Sequence, residues 1–253
     1  MAFIIAITNQ KGGVGKTTTA VNLAAQLATN KRRVVLVDLD PQGNATSSLG
    51  IAKDELQKTL YESLVGGVSA KEIILPTSNK NMFVLPSNAQ LAQAEVDLVN
   101  VAKRETKLAD LLATINADVI LIDCPPALGL LTVNALAAAD GVLIPVQAEY
   151  FALEGLSQLV QTIQLVRQGL NTRLNIFGVA LTMFSKRTVL SEQVKAEVEQ
   201  HFGDKLFHSV IPRNIRLAEA PSFGKTIFEH DKWSKGARAY KALAQEVVNR
   251  AGL

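Results

Sequence analysis

A glycine-rich segment near the N-terminus constrains the fold of this chain more than any other feature. It runs from Lys11 to Thr18 as Lys-Gly-Gly-Val-Gly-Lys-Thr-Thr, between an apolar run at 3–7 and a stretch of helical period at 19–25. A strand, a glycine loop and a helix in this order are the structural context of a phosphate-binding loop. Small residues let successive backbone N–H groups curl around phosphate oxygens at the positive end of the helix. The segment therefore predicts a site for a nucleoside triphosphate.

Individual residues of this loop have roles that follow from their chemistry. Lys16 is expected to reach the β- and γ-phosphates, and the Thr17 hydroxyl is expected to bind Mg²⁺. The loop residues predicted to contact the nucleotide are Lys11, Gly12, Gly13, Val14, Gly15, Lys16, Thr17 and Thr18.

The loop departs from the common pattern at its entrance. That pattern has glycine five residues before Gly15, whereas this chain has Gln10 there and a second lysine, Lys11, beside it. Because Lys16 already serves the phosphates of its own loop, Lys11 can be interpreted as a cation directed at a phosphate held by another subunit. An arginine finger supplied in trans plays that role in other enzymes. A solvated lysine and a fortuitous glycine cluster are the alternative explanations.

The rest of the chain suits a single α/β domain over 1–253. Its 253 residues are 48% hydrophobic, which is enough for a large core. No apolar run approaches about 18 residues and no secretory signal pattern opens the chain, so we expect a soluble, cytoplasmic protein. The single cysteine, Cys124, excludes an internal disulfide and a four-cysteine metal or cluster site within one chain, and packing explains it better than reactivity.

The basic residues are concentrated in the C-terminal part. The net charge of +3 is too small to argue for a nucleic-acid partner. Residues 186–253, however, hold 12 Lys and Arg against 8 Asp and Glu, whereas residues 1–185 hold 14 against 15.

Apolar, β-branched runs alternate with segments of helical period along the chain. The runs at 34–37 and 119–122 are apolar on both faces, as in a covered parallel sheet. We therefore predict a doubly wound, mostly parallel sheet flanked by helices. The predicted strands lie near 3–8, 33–38, 82–85, 118–123, 141–146, 175–182 and 206–211. The predicted helices lie near 17–29, 88–99, 103–116, 128–139, 153–168, 188–202 and 235–250.

Acidic residues follow two of these strands, at the sheet edge where ligands bind in such folds. Asp38 and Asp40 end the second strand, so one carboxylate can serve Mg²⁺ or its waters while the other orients an attacking water. A turn opened by Asp-Pro and closed by Gly-Asn is the alternative explanation. Asp123 follows four apolar residues and has the form of a Walker B aspartate that binds Mg²⁺ directly or through water. The prolines at 125 and 126 stiffen the chain that leaves it.

Taken together, these segments resemble the ParA/Soj chromosome-partitioning ATPases, which have a deviant Walker A motif. The resemblance runs essentially end to end and is carried by residues 9–19, 37–46, 122–126, 145–155 and 210–225. The glycine loop alone would fit many relatives, including MinD, the nitrogenase iron protein and ArsA. The last two segments look specifically like Soj.

The resemblance implies a bacterial ATPase cycle. ATP drives two monomers into a nucleotide sandwich homodimer, the dimer binds double-stranded DNA without sequence preference, and a ParB-type partner stimulates slow hydrolysis to ADP and phosphate. It implies that Lys11 crosses the dimer interface, that Asp40 activates water and that Asp123 is the Walker B acid. Pro212 and Asn214 match the wall beside the adenine.

The same resemblance implies where DNA is bound, and hence a nucleoid association. The DNA contacts match Arg187 and Arg216, with support from Lys225, Lys235, Arg238 and Lys241. An ordinary solvated face is the alternative for these cations. Because the first strand already begins at Phe3, we do not expect the N-terminal helix-turn-helix domain that plasmid relatives often carry.

Other functions on the same loop make different demands on the sequence. A MinD-like membrane-positioning ATPase would need a C-terminal amphipathic helix with bulky apolar residues. The tail at 240–253 is alanine-rich without Phe or Trp and indicates a packing helix, so no stable membrane association is expected. An electron-transfer protein of the nitrogenase type needs two cluster cysteines per subunit, whereas this chain has only Cys124. A metabolic ligase or kinase stays open, as does the choice between a chromosome and a plasmid as cargo.

Overall fold

A seven-stranded sheet forms the centre of the computed structural model, which describes residues 2–149 and 156–253. Its strands are β1 (Phe3–Ile7), β2 (Val34–Asp38), β3 (Leu75–Pro76), β4 (Met82–Leu85), β5 (Val119–Asp123), β6 (Gly141–Gln147) and β7 (Asn175–Thr182). Their order across the sheet is β3-β4-β2-β5-β1-β6-β7, and every pairing is parallel except that of β3 with β4.

The central strands are buried on both faces, as the continuous apolar runs predict. All five residues of β2 and of β5 are buried. Strand β5 lies between β1 and β2, in a register that pairs Asp123 with Ile7 on one side and with Asp38 on the other. The carboxyl ends of β1, β2 and β5 therefore meet at one edge of the sheet, directly below the glycine loop.

Helices cover both faces, so the doubly wound arrangement is confirmed. They are α1 (Lys16–Leu27), α2 (Asn44–Ser48), α3 (Leu60–Leu64), α4 (Ala70–Ile73), α5 (Ala94–Asp97), α6 (Lys107–Leu112), α7 (Leu130–Ala138), α8 (Leu156–Gly169), α9 (Val189–Phe202), α10 (Ile215–Glu219), α11 (Ile227–His230) and α12 (Lys235–Ala251). One core layer contains residues of α3 to α9, and the other contains residues of α1 and α10 to α12. Within the described ranges, none of these helices has both the length and the apolar character needed to cross a bilayer.

The predicted strand at 206–211 is wrong. That segment runs beside β7 but makes only isolated parallel bridges, Val179 with Leu206 and Phe184 with Pro212. Between the bridges, the N–H groups of His208 and Ser209 donate to the Glu246 carboxylate at 2.8 and 2.7 Å, so a ladder cannot form there.

The other differences concern short elements. The predicted helices near 88–99 and 103–116 begin as 3₁₀ turns at 89–93 and 104–106 before they become α-helical. The two-residue strand β3 was not predicted, since a pair of residues carries no periodicity. The predicted start of a helix near 153 lies outside the described residues.

Candidate functional site

The glycine loop adopts a backbone that requires its glycines. Gly13 has φ of 73° and Gly15 has φ of 88°, which is left-handed backbone that side chains disfavour. Gly15 is also the N-cap residue of α1, and its carbonyl accepts the Thr19 N–H at 2.9 Å. The first turn of α1 contains no acidic side chain, so the positive end of the helix is free of a competing carboxylate.

Two neighbouring strands hold this loop in place. The Asn9 amide donates to the Pro145 carbonyl at 2.7 Å, and its Oδ1 accepts the Lys11 N–H at 3.0 Å. From β7, the Thr182 hydroxyl donates to the Val14 carbonyl at 2.8 Å in a buried bond. The cradle is therefore anchored to β6 and β7. No local pattern in the sequence indicates these roles of Asn9 and Thr182, because both bonds join segments more than 130 residues apart.

Lys16 lies inside the loop as predicted. Its side chain is only 7% exposed, and Nζ donates to the Lys11 carbonyl at 3.1 Å. Burial lowers the pKa of this ammonium group, while the nearby carboxylates of Asp123 and Asp40 oppose the shift. The structure thus brings the phosphate lysine and two of the predicted acids together.

Asp123, at the end of β5, is fully buried and has no hydrogen-bond partner for either carboxylate oxygen among the described residues. Its pKa is raised well above the ordinary value, mainly by burial and then by repulsion from Asp38. The Thr17 hydroxyl and the Lys16 ammonium oppose the shift, although the Thr17 hydroxyl falls short of hydrogen-bond geometry. Buried carboxylates without partners are rare unless they bind a cation. Asp123 and Thr17 therefore fit a divalent metal.

Asp38 has a different environment on the neighbouring strand. Its Oδ2 accepts both the N–H and the hydroxyl of Thr46 at 2.7 Å, and Oδ1 accepts the Asp40 N–H at 3.4 Å. Burial raises the pKa of Asp38 to about 6, against the effect of the Thr46 bonds. The carboxylate thus ties the loop after β2 to the sheet. A role of Asp38 in metal binding stays a prediction.

Asp40 begins the turn that leaves β2 and is 8% exposed. Its Oδ1 accepts the Gln42 N–H at 2.9 Å, and its carbonyl accepts the Gly43 N–H at 2.8 Å, with Gly43 at φ of 60°. The turn explanation is therefore correct for the backbone. It does not compete with the functional one, since the charge of Asp40 also acts on Lys16 and opposes the lowering of the Lys16 pKa by burial.

A cavity of about 180 Å³ opens beside the loop on the far side from these acids. Gly15 and Thr18 line one wall, and Pro212 and Asn214 line another. Asn214 Oδ1 accepts the Leu217 N–H at 3.2 Å and so caps α10. Both predicted adenine-side residues therefore face a space that adjoins the phosphate loop.

Met183 also lines this cavity, with φ of 51°. A residue with a side chain rarely adopts this left-handed backbone, and such strain is concentrated at functional sites. The residue directly follows Thr182, which holds the loop, so the turn at the end of β7 shapes both the cradle and the cavity. No local pattern in the sequence indicates this conformation.

The Lys11 side chain approaches an acidic residue that follows β6. Its side chain is 38% exposed, and Nζ lies 3.8 Å from Oε2 of Glu149. The other Glu149 oxygen lies 3.4 Å from Nη2 of Arg213. Glu149 lies in the 145–155 segment that carries the resemblance, but no pattern in the sequence indicates that it approaches Lys11.

The predicted DNA-contacting residues lie on the surface. Arg187, Lys225, Lys235, Arg238 and Lys241 are exposed. Arg216 is 57% exposed and forms ion pairs with Glu219 at 2.9 Å and Asp231 at 3.8 Å. The parallel bridge of Phe184 with Pro212 brings together the segments that lead to Arg187 and Arg216. Lys235, Arg238 and Lys241 lie on α12.

A parallel sheet with a glycine loop after β1 and acids at the ends of β2 and β5 defines a phosphate-loop nucleotide-binding protein. A family model described as "AAA domain" matches residues 2–176. The chain is 56% identical to the sporulation initiation inhibitor protein Soj of Bacillus subtilis strain 168, over 98% of this chain and 99% of that protein. It is 54% identical to the chromosome partitioning protein ParA of Myxococcus xanthus strain DK1622, over 98% and 88%. The chain belongs to the ParA/Soj family of chromosome-partitioning ATPases.

A solved structure of the same fold holds a nucleotide analogue and magnesium. The structure named as cobyrinic acid a,c-diamide synthase of Mycobacterium smegmatis, with bound ATP analogue and magnesium, superposes with a TM-score of 0.88 at 37% identity. The match covers 100% of this chain and 96% of that one. Its name refers to a different activity, but the family assignment follows from the relatives of higher identity.

Proposed function

We propose that this protein is an ATP-dependent DNA-partitioning ATPase. ATP and Mg²⁺ join two copies into a sandwich dimer, the dimer binds double-stranded DNA without sequence preference, and a ParB-type partner stimulates hydrolysis to ADP and phosphate. The observation that carries the proposal is Asp123, a buried carboxylate without a partner among the described residues, beside Lys16 and the glycine loop. An anion cradle next to an acid that needs a cation is suited to a metal-bound nucleotide.

The residues of the site divide the chemistry among them. The loop N–H groups and Lys16 hold the phosphates, and Thr17 and Asp123 hold Mg²⁺, with Asp38 as a further candidate. Bound Mg²⁺ neutralises charge on the phosphate oxygens. Hydrogen bonds among the described residues engage only Oδ1 of Asp40, so Oδ2 is available to orient the attacking water. Pro212 and Asn214 line the cavity that would hold the adenine base.

Lys11 is proposed to act on the nucleotide of the second copy. Within one chain it approaches Glu149 rather than its own cradle, so a phosphate presented by a partner can take the place of that carboxylate. Lys11→Ala should bind ATP but hydrolyse it slowly. Mixed with a Lys16→Ala variant, it should regain activity, because the Lys16→Ala subunit lends its intact Lys11. Mixed dimers that stay inactive would contradict the trans role.

DNA binding is proposed to follow from dimerisation. A monomer offers few phosphate contacts and binds weakly, whereas a dimer doubles them, so affinity rises steeply with pairing. The location that fits this function is the bacterial cytoplasm, in association with the nucleoid. A membrane role is disfavoured because the apolar face of α12 packs on α1, with the Tyr240 hydroxyl 3.1 Å from that of Thr19.

The test is DNA binding with ATP, with ADP and without nucleotide, on several unrelated duplexes and at several salt concentrations. Binding should require ATP and should be similar for all duplexes. Arg187→Ala and Arg216→Ala should each weaken binding. Each should also make the fall of log affinity with log salt shallower, by roughly one unit of slope per phosphate contact removed. Equal binding in all three nucleotide states would refute the proposal.

A further inference from the structure

Three large apolar side chains are exposed in the segment from 215 to 233. Ile215, Phe223 and Trp233 are 75%, 64% and 77% exposed. Trp233 is the only tryptophan of the chain. Exposed apolar side chains of this size within one short segment indicate a contact surface.

Polar contacts join Arg216 to the backbone of Trp233 and to His230, on which Phe223 stacks. The Asp231 carboxylate lies between Arg216 and Trp233, with Oδ2 3.8 Å from Nε of Arg216 and Oδ1 accepting the backbone N–H of Trp233 at 3.1 Å. On the other side, Arg216 donates to Glu219 Oε2 at 2.9 Å, and the same oxygen lies 3.6 Å from Nε2 of His230. One guanidinium group is therefore held between two carboxylates that also position neighbouring surface groups.

The ring of Phe223 completes this surface. It stacks on the His230 ring with a centroid distance of 5.0 Å. On the other flank, Nζ of Lys232 lies 5.2 Å from the centre of the Trp233 ring. Lys225 and Lys235 are exposed, and neither forms an ion pair within the part of the chain that the structure describes. Cations therefore lie in the same segment as the two rings, and one of them, Lys232, lies over the Trp233 ring.

We propose that Trp233 and Phe223 contact the sugars and base edges of duplex DNA beside the phosphate that Arg216 binds. The proposal rests on the DNA-binding function proposed above and adds an apolar component to it. A duplex presents charged phosphates next to apolar sugar faces, and proteins contact it with apolar side chains flanked by cations. A lipid bilayer fits less well, because it would bury Glu219 and Asp231 together with the rings.

The apolar contact has a signature that distinguishes it from a phosphate contact. An aromatic ring neutralises no phosphate, so its removal does not change how many counterions are released on binding. The slope of log affinity against log salt should therefore stay unchanged. Trp233→Ala should therefore weaken binding by the same factor at every salt concentration. Lys232→Ala, in contrast, should lower the slope.

The experiment titrates a fluorescently labelled 24-base-pair duplex with the full-length protein and ATP, at four salt concentrations. Trp233→Phe should restore most of the affinity that Trp233→Ala loses. Leu165→Ala is the matched control, since Leu165 is 69% exposed on α8, which covers the opposite face of the sheet from α12. The control should bind as the wild type does.

The single tryptophan gives an independent measurement on the wild-type protein. Its emission should be quenched by acrylamide in the free protein and protected once unlabelled duplex is bound. One possible result is that the wild type binds duplex, Trp233→Ala binds it equally tightly, and duplex leaves acrylamide quenching unchanged. That result would overturn the inference and leave the proposed function intact. A blue shift with phosphatidylglycerol vesicles and none with duplex would overturn it in favour of a membrane contact. A wild-type protein that binds no duplex would overturn the proposed function as well.

Discussion

The buried carboxylate of Asp123 leads to a prediction about stability. We expect Asp123→Asn to stabilise the nucleotide-free, metal-free protein while it abolishes ATP hydrolysis. The side chain is fully buried beside Asp38 and has no hydrogen-bond partner among the described residues, so the amide removes a charge without removing a bond. A residue that destabilises its own fold is expected where function requires it.

The pKa shift of the neighbouring carboxylate, Asp38, shows the scale of such a burial cost. Burial raises the pKa of Asp38 from 3.8 to about 6, and at about 1.36 kcal/mol per unit this corresponds to about 3 kcal/mol. Two hydrogen bonds from Thr46 stabilise the charged form of Asp38, whereas Asp123 accepts none from the described residues. Burial and like charge act on Asp123 in the same direction, so Asp123→Asn should be more stable than the wild type at pH 8.

The sign of the pH dependence is fixed by the direction of the shift. The folded protein binds the Asp123 proton more tightly than the unfolded chain does, because its pKa is raised from 3.8. The wild-type free energy of unfolding therefore falls as the pH rises above about 4. The variant lacks this term, so the difference between the two proteins should be small near pH 4 and should grow toward pH 8.

Urea unfolding in EDTA at several pH values measures this difference. Asp54→Asn, the same change at an exposed position, is the control and should stay within about 0.5 kcal/mol of the wild type. With Mg²⁺ and ADP at about 100 times the dissociation constant, the wild type should gain about 2.7 kcal/mol and the variant much less. A variant that is less stable than the wild type at pH 8 in EDTA would refute this account of Asp123.

Three further substitutions test other parts of the site. Lys16→Ala should abolish nucleotide binding, and unchanged affinity by calorimetry would contradict the phosphate-loop assignment. Asp40→Ala should keep ATP binding but lose hydrolysis, so light scattering should show a persistent dimer that accumulates on DNA; turnover near the wild-type rate would exclude Asp40 as the residue that orients water. Thr182→Val leaves the Val14 carbonyl without its buried donor, so we expect a loss of about 1–3 kcal/mol in thermal unfolding together with weaker nucleotide binding. Equal stability and affinity in that variant would show that the bond does not hold the loop.

The sequence predicted the sheet, the loop and the position of the acids, and physical reasons explain this success. Strands that are apolar on both faces can only lie inside a covered parallel sheet, as β2 and β5 do. Left-handed backbone at Gly13 and Gly15 requires glycine, so the loop is visible in the residues themselves. Acids at strand ends then fall beside the loop because the fold brings those ends together.

Contacts between distant segments could not be predicted in the same way. The segment at 206–211 has the composition of a strand, but the Glu246 carboxylate, 37 residues beyond Ser209, takes the N–H groups that a ladder would need. The approach of Lys11 to Glu149 and the bond from Thr182 to the Val14 carbonyl likewise join residues that are far apart along the chain. Their sequence pattern is that of ordinary polar residues, and only the fold makes them neighbours.

The balance of charge at the sheet edge explains why nucleotide and metal should bind together. Lys16 lies near Asp40 and Asp123, and Asp38 lies beside Asp123, so three carboxylates accompany this lysine before a nucleotide binds. A triphosphate alone would add negative charge beside a carboxylate that burial and repulsion already destabilise. Asp123 would gain from bound Mg²⁺ the partner that it has not got among the described residues, and the metal would neutralise the phosphates in the same place. We therefore expect the site to favour the metal-bound nucleotide over the free one, with Asp123 as the residue that makes the distinction.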